Sequence, residues 1–183
     1  MQKIEPHFYR QKTETVAKSL LGMLLVKKYK NDFQIGRIVE TEAYLGTHDL
    51  ACHTSKGFTK RNKTMFGEPG HAYVYLIYGI HHCFNIVTEP AGHGAAVLIR
   101  AIEPVKNIAL RTNGPGLLCK SLDIDRTYDG KDLTGDEIFC IYPDSKEEFS
   151  IIAKPRIGVQ YAKEWALKPL RFYIENNPFV SRL

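Results

Sequence analysis

The run Arg37-Ile38-Val39-Glu40-Thr41-Glu42-Ala43-Tyr44-Leu45-Gly46 constrains this chain more than any other segment. It reads as a strand into which two acids have been set. Alternation along a strand sends residues i and i+2 to the same face. Ile38, Glu40, Glu42 and Tyr44 are therefore expected on one side, and Val39, Thr41, Ala43 and Leu45 on the other. The second set suits the inside of a sheet. The first places two carboxylates beside a tyrosine ring, an arrangement able to activate water against a flat, ring-shaped substrate. A half-exposed strand with acids on its wet face fits the same pattern.

At 183 residues the chain is expected to form one domain, 1–183, with a core that needs neither disulfide nor metal. Its formal charge of +5 is compatible with a polyanionic partner without requiring one. Cys52, Cys83, Cys119 and Cys140 are scattered with no CxxC pair, which argues against a zinc ribbon and for reduced thiols. Residues Met1 to His7 lack the apolar core of a signal peptide, and no stretch approaches the roughly 18 apolar residues of a membrane span. The expected location is the cytoplasm, with no membrane partner.

Along the chain, Thr13 to Leu21 reads as a helix closed by Gly22, and Met23 to Tyr29 as a strand. A polar loop, 46–57, carries His48, Asp49 and His53. Ala72 to Tyr78 is a second strong strand, ended by Gly79, with Cys83 to Val87 returning as a hairpin arm. Ala95 to Ile102 forms another strand, with Leu98 and Arg100 on one face. Pro104 is expected to start a helix running to Asn113-Gly114, and Pro115 another through Leu122. Ile151 to Ala153, Arg156 to Val159 and Leu170 to Ile174 are strand-like. Strands outnumber helices and follow one another, which predicts an α+β domain with an antiparallel sheet.

Tyr73, Tyr75 and Tyr78 lie within six residues, and Tyr78-Gly79 falls where the hairpin should turn. A ring at a hairpin tip is unfavourable in water unless it meets a partner, such as the gap left by an extruded nucleotide. Tyr73 reads instead as a sheet-filling aromatic. Lys56, Lys60, Arg61 and Lys63 form a basic cluster of the density that phosphate contacts use, or simply a solvated loop. The seven histidines include no HExxH, and adjacent His81 and His82 would point to opposite strand faces, so no metal is expected. No GxSxG, Walker or GxGxxG motif is present.

RIVETEAYLG, His53, Arg61 to Phe66 and Tyr73 to Gly79 form an ordered series with Asn85, Val97 to Pro104, Gly114-Pro115-Gly116 and Lys168 to Tyr173. Together they resemble the alkyladenine (3-methyladenine) DNA glycosylase family, from about residue 7 to the end. The resemblance implies one curved antiparallel sheet with flanking helices and a protruding hairpin. It also implies a monofunctional enzyme that flips a damaged purine from double-stranded DNA and hydrolyses its bond to deoxyribose. Glu42 would be the general base, with Arg100 and the backbone of Ile157 orienting the water. Tyr44, His53 and Tyr75 would line the base slot, and Asn85 would refuse guanine's exocyclic amine. Tyr78 would be the wedge, with Arg61 and Lys63 on phosphates. No cofactor is implied, and a monomer attached to the bacterial nucleoid through DNA is expected. Leu117 departs from the family pattern after Gly114-Pro115-Gly116, where a lysine or polar residue is expected.

The chemistry of the residues is consistent with those roles. Breaking an N-glycosidic bond builds positive charge on the sugar, which a carboxylate can stabilise while deprotonating water. An alkylated, cationic purine is well held between aromatic faces and leaves without a strong acid. Two alternatives stand beside this reading. One is an O-glycoside hydrolase using Glu40 and Glu42 at a separation of about 6 to 7 Å. The other is a non-catalytic module that binds damaged DNA.

Overall fold

A computed structural model of the protein describes residues 2–145 and 147–183. Among them, eight strands form one curled antiparallel sheet. They are β1 (Leu24–Tyr29), β2 (Asp32–Tyr44), β3 (Ala72–Ile77), β4 (His81–Thr88), β5 (Ala95–Lys106), β6 (Ile138–Ile141), β7 (Ile151–Lys154) and β8 (Arg171–Ile174). Short helices α1 (Pro6–Tyr9), α2 (Thr13–Ser19) and α3 (Pro115–Ser121) flank it. The main order is β3-β4-β5-β2-β1-β6. The long strand β2 lies at the centre. β5 runs along one of its edges, while β1 covers Asp32 to Arg37 on the other and β8 covers Glu40 to Glu42. No helix among the described residues is long and apolar enough to cross a membrane.

The two sheet faces do different work. Ala43 of β2, Ala72 and Val74 of β3, Phe84 and Ile86 of β4, and Val97 and Ile99 of β5 are fully buried in the main core with α2 and α3. Thr41 joins that face by donating its hydroxyl to the Ala17 carbonyl of α2 at 2.9 Å. Residues of the opposite parity, including Glu42, Asn85, Leu98, Tyr73 and Tyr75, are left for the other face.

Alternation holds along β2 from Glu40 to Tyr44 and fails before it. Ile38 is buried in the same core as Val39, contrary to the expectation that it shares a face with Glu40. The reason is a register irregularity on either side of Glu40, which re-aims the strand as bulges do. The acids are also not on a wet face, since both are completely buried.

Two further expectations are corrected. Residues from Pro104 onward do not begin a helix, because β5 continues to Lys106. Pro104 sits opposite Gly36 at another register shift, where a missing N–H is tolerated. Arg156 to Val159 is a turn rather than a strand. Pro155 offers no N–H to a ladder, and Gly158 takes a left-handed φ of +80° that bends the chain away.

Candidate active site

The sheet register lines up the site. Tyr73 pairs with Asn85, Asn85 with Leu98, Leu98 with Glu42 and Glu42 with Arg171, one row across β3, β4, β5, β2 and β8. Directly paired residues put their side chains on the same face. Fixing the pleat therefore brings an aromatic, an amide and a carboxylate from distant parts of the chain into one line.

The two carboxylates have different surroundings. Glu40 Oε1 accepts from Arg171 Nη1 at 2.9 Å and Arg100 Nε at 3.2 Å, while Oε2 accepts from the Ser181 N–H at 2.7 Å. Its partners are two guanidiniums and a backbone N–H of the carboxy-terminal segment. Glu42 Oε2 accepts from the Tyr44 hydroxyl at 2.8 Å, and Oε1 from the backbone N–H of Ile157 at 2.8 Å. Arg100 Nη1 lies 3.4 Å from Glu42 Oε1, so one guanidinium bridges both acids. The Ile157 N–H is thus spent on the carboxylate itself. Burial, and then the charge of Glu42, raise the Tyr44 pKa well above its usual value, keeping the hydroxyl protonated as a donor.

Beyond Tyr44 lies a slot lined by Tyr44, His53, Met65, Tyr73, Tyr75 and Asn85. His53 and Tyr75 meet edge to face with centroids 4.4 Å apart, and Tyr73 and Tyr75 are 5.5 Å apart. His53 Nδ1 shares a hydrogen bond of 3.0 Å with the Tyr73 hydroxyl, which gives Tyr73 a positioning role beyond filling the sheet. Burial, and secondarily Arg61, hold the His53 pKa below its usual value, so the ring is neutral near pH 7. The Asn85 amide donates to the Tyr73 carbonyl at 3.0 Å, which holds the side chain at the slot wall. As it stands, the slot's cavity volume is about 20 Å³, room for one water.

Tyr78 stands at the tip of the β3–β4 hairpin, 86% exposed, with Ile80 beside it at 71%. Tyr78 and Gly79 both take positive φ, the pair of left-handed residues that a tight reversal requires. On the other side of His53, a groove of about 670 Å³ is lined by Lys56, Arg61, Tyr161 and Lys163. Arg61 reaches that groove and donates to the Leu76 carbonyl at 3.2 Å, whereas Lys63 sits on the adjacent 3-10 turn, outside the groove's lining.

Reading the sequence missed several of these parts. Ile80 is an apolar residue directly after the turn glycine, a signal that was available. Arg156 and Asp49 form a fully buried ion pair behind Tyr44, 107 positions apart, and no local pattern links them. Lys163 carries φ +53° and ψ −131°, a conformation that no lysine propensity announces.

Comparison with known proteins agrees with this geometry. The family model described as methylpurine-DNA glycosylase matches residues 7–178. A protein of Legionella pneumophila (strain Corby), named "Putative 3-methyladenine DNA glycosylase", is 57% identical over 182 residues, covering 100% of both chains. Proteins of the same name from Myxococcus xanthus and Methanocella arvoryzae are each 47% identical. The first match covers 100% of this chain and 95% of the relative, and the second 96% and 94%. The chain belongs to the methylpurine-DNA glycosylase family of DNA-repair enzymes, hydrolases of the N-glycosyl bond.

Proposed function

We propose that this enzyme extrudes alkylated or deaminated purines from duplex DNA and hydrolyses their bond to deoxyribose, with Glu42 activating the water. The observation that carries the reading is the pair of donors on Glu42. Tyr44 O–H and Ile157 N–H hold both carboxylate oxygens, and the Tyr44 ring continues directly into the slot. A carboxylate fixed in this way can take a proton from water and face the positive charge that develops on the sugar. Extrusion is supported by the exposed Tyr78 at a hairpin tip, where a ring can fill the gap in the base stack. The slot is too small for a purine as it stands, so its walls must move apart for a base to enter.

Glu40 argues against a two-carboxylate mechanism on O-glycosides. Its oxygens are held by Arg100, Arg171 and Ser181, none of which lines the slot, whereas Glu42 is bonded to Tyr44, which does. The test is release of free base from a lesion-bearing duplex. Glu42→Gln is expected to bind the lesion and release base at least about a hundredfold more slowly. A near wild-type rate for Glu42→Gln would assign the base elsewhere. Lesion binding by the wild type without base release would favour a binding module.

A further inference from the structure

Arg156 lies in the turn that follows β7, where the chain makes no ladder hydrogen bonds, so something other than the sheet must hold it. Its guanidinium does so. Nη2 donates to Asp49 Oδ1 at 2.8 Å, and Nη1 donates both to Asp49 Oδ2 and to the carbonyl of Ala43 at 2.8 Å. Both side chains are completely buried. The guanidinium carbon also sits 4.7 Å from the centroid of the Tyr44 ring.

Each end of this pair holds a different part of the site. The next peptide after Arg156 presents the Ile157 N–H to Glu42, while Ala43 lies between Glu42 and Tyr44 in β2. Arg156 therefore ties the donor peptide to the strand that carries the acceptor. Asp49 in turn accepts from Leu45 N at 3.1 Å and Ala51 N at 3.0 Å, which fixes the loop leading to His53. The carboxylate's donor, the Tyr44 wall and the His53 loop meet at one ion pair.

From this geometry we infer that Arg156, held by Asp49, is a positioning residue for the hydrolytic step, setting the Ile157 N–H and the Tyr44 ring against Glu42. The inference rests on the reading of Glu42 as the base. Lysine at 156 keeps a positive charge but cannot span Asp49 and Ala43 with a planar fork. A shift of about 1 Å at reacting groups costs on the order of a hundredfold in rate.

The experiment compares wild type, Arg156→Lys, Glu42→Gln and the double variant in single-turnover base release, lesion-duplex affinity and thermal melting. The expected result for Arg156→Lys is a loss of about a hundredfold in rate, with affinity changed less than about threefold. In the Glu42→Gln background the same change is expected to cost nothing further, because Arg156 acts through that carboxylate. A wild-type rate for Arg156→Lys, or a loss that multiplies with Glu42→Gln, overturns the inference. If Arg156→Lys fails to fold, Arg156→Met combined with Asp49→Asn removes both buried charges together and leaves neither unpaired. A folded double variant that keeps its rate overturns the inference, and one that loses rate but not affinity supports it. Full activity of Glu42→Gln would instead show that the reading of the base had failed.

Discussion

Asn85 is held at the slot by its own amide, since the NH2 group donates to the Tyr73 carbonyl at 3.0 Å. Stacking by Tyr44, His53 and Tyr75 does not sense an exocyclic amine, because every purine presents a similar π-face. If Asn85 is what refuses guanine, the clash with its amine should cost about 1 to 3 kcal/mol, the scale of one misfit buried polar group. Asn85→Ser is expected to raise excision of guanine relative to hypoxanthine about thirtyfold, the middle of that range, measured on mismatched duplexes. An unchanged ratio would place the discrimination on another residue. His53 supplies a second prediction. Burial first, and Arg61 second, depress its folded pKa below the ordinary 6.5. As pH falls through the unfolded value, the unfolded chain takes up the proton before the folded one does, so folding loses stability from there down to the folded pKa. The melting temperature of the wild type should therefore drop between about pH 7 and pH 5 more than that of His53→Gln. Equal slopes would show that His53 titrates alike in both states.

The hairpin of β3 and β4 projects Tyr78, a large aromatic, into solvent, and its left-handed backbone is a conformation that bulky residues rarely adopt. Tyr78→Ala is expected to weaken affinity for a lesion-bearing duplex about tenfold, while base release from saturated complex slows less. Unchanged affinity and unchanged single-turnover rate would remove the wedge role. This hairpin was legible because its signals are local: alternating aromatics, a turn glycine, then a returning apolar run. β2 and the turn before it were legible for the same reason. β6 was not, because Ile138 to Ile141 is buried on both faces and shows no alternation. The misread helix after Pro104 followed a real preference of proline for helix starts, which the pairing of β5 with β2 overrode. The stretch Arg156 to Val159 has the β-branched content of a strand, yet Pro155 and Gly158 decide its path. Tyr44, His53, Tyr75 and Asn85 at the slot were named through the motifs that resemble the glycosylase family, while Tyr73 was read as sheet filling and Met65 was not named. Arg156 could not be named, because its partner lies 107 positions away and only the folded sheet brings them together.

Charge organises the molecule as a whole. The buried carboxylates of Glu40, Glu42 and Asp49 face the guanidiniums of Arg100, Arg171 and Arg156, so the interior layer is balanced. The formal surplus of +5 is therefore carried by other residues, and one concentration of it is the groove of Lys56, Arg61 and Lys163 beside His53. Such a groove has the charge that phosphate contacts use, and on the proposed reading it would hold the backbone beside the flipped base. Each phosphate neutralised releases counterions, so duplex affinity is expected to fall steeply with salt, with log K changing by about 0.9 per contact for each unit of log salt. The double variant Arg61→Ala with Lys63→Ala should flatten that slope. Arg61→Ala alone should account for most of the change, because Lys63 stands outside the groove. Lys163→Gly adds an independent arm. It deletes a cation and also relieves a left-handed backbone that suits glycine, so it should lower the salt slope by about one contact while raising the melting temperature. Affinity titrations across a salt series on undamaged and lesion-bearing duplexes measure the slopes, and thermal melting of the free protein measures the stability. A slope unmoved by all three substitutions would take the phosphate path to another face of the protein, whatever the slot itself does.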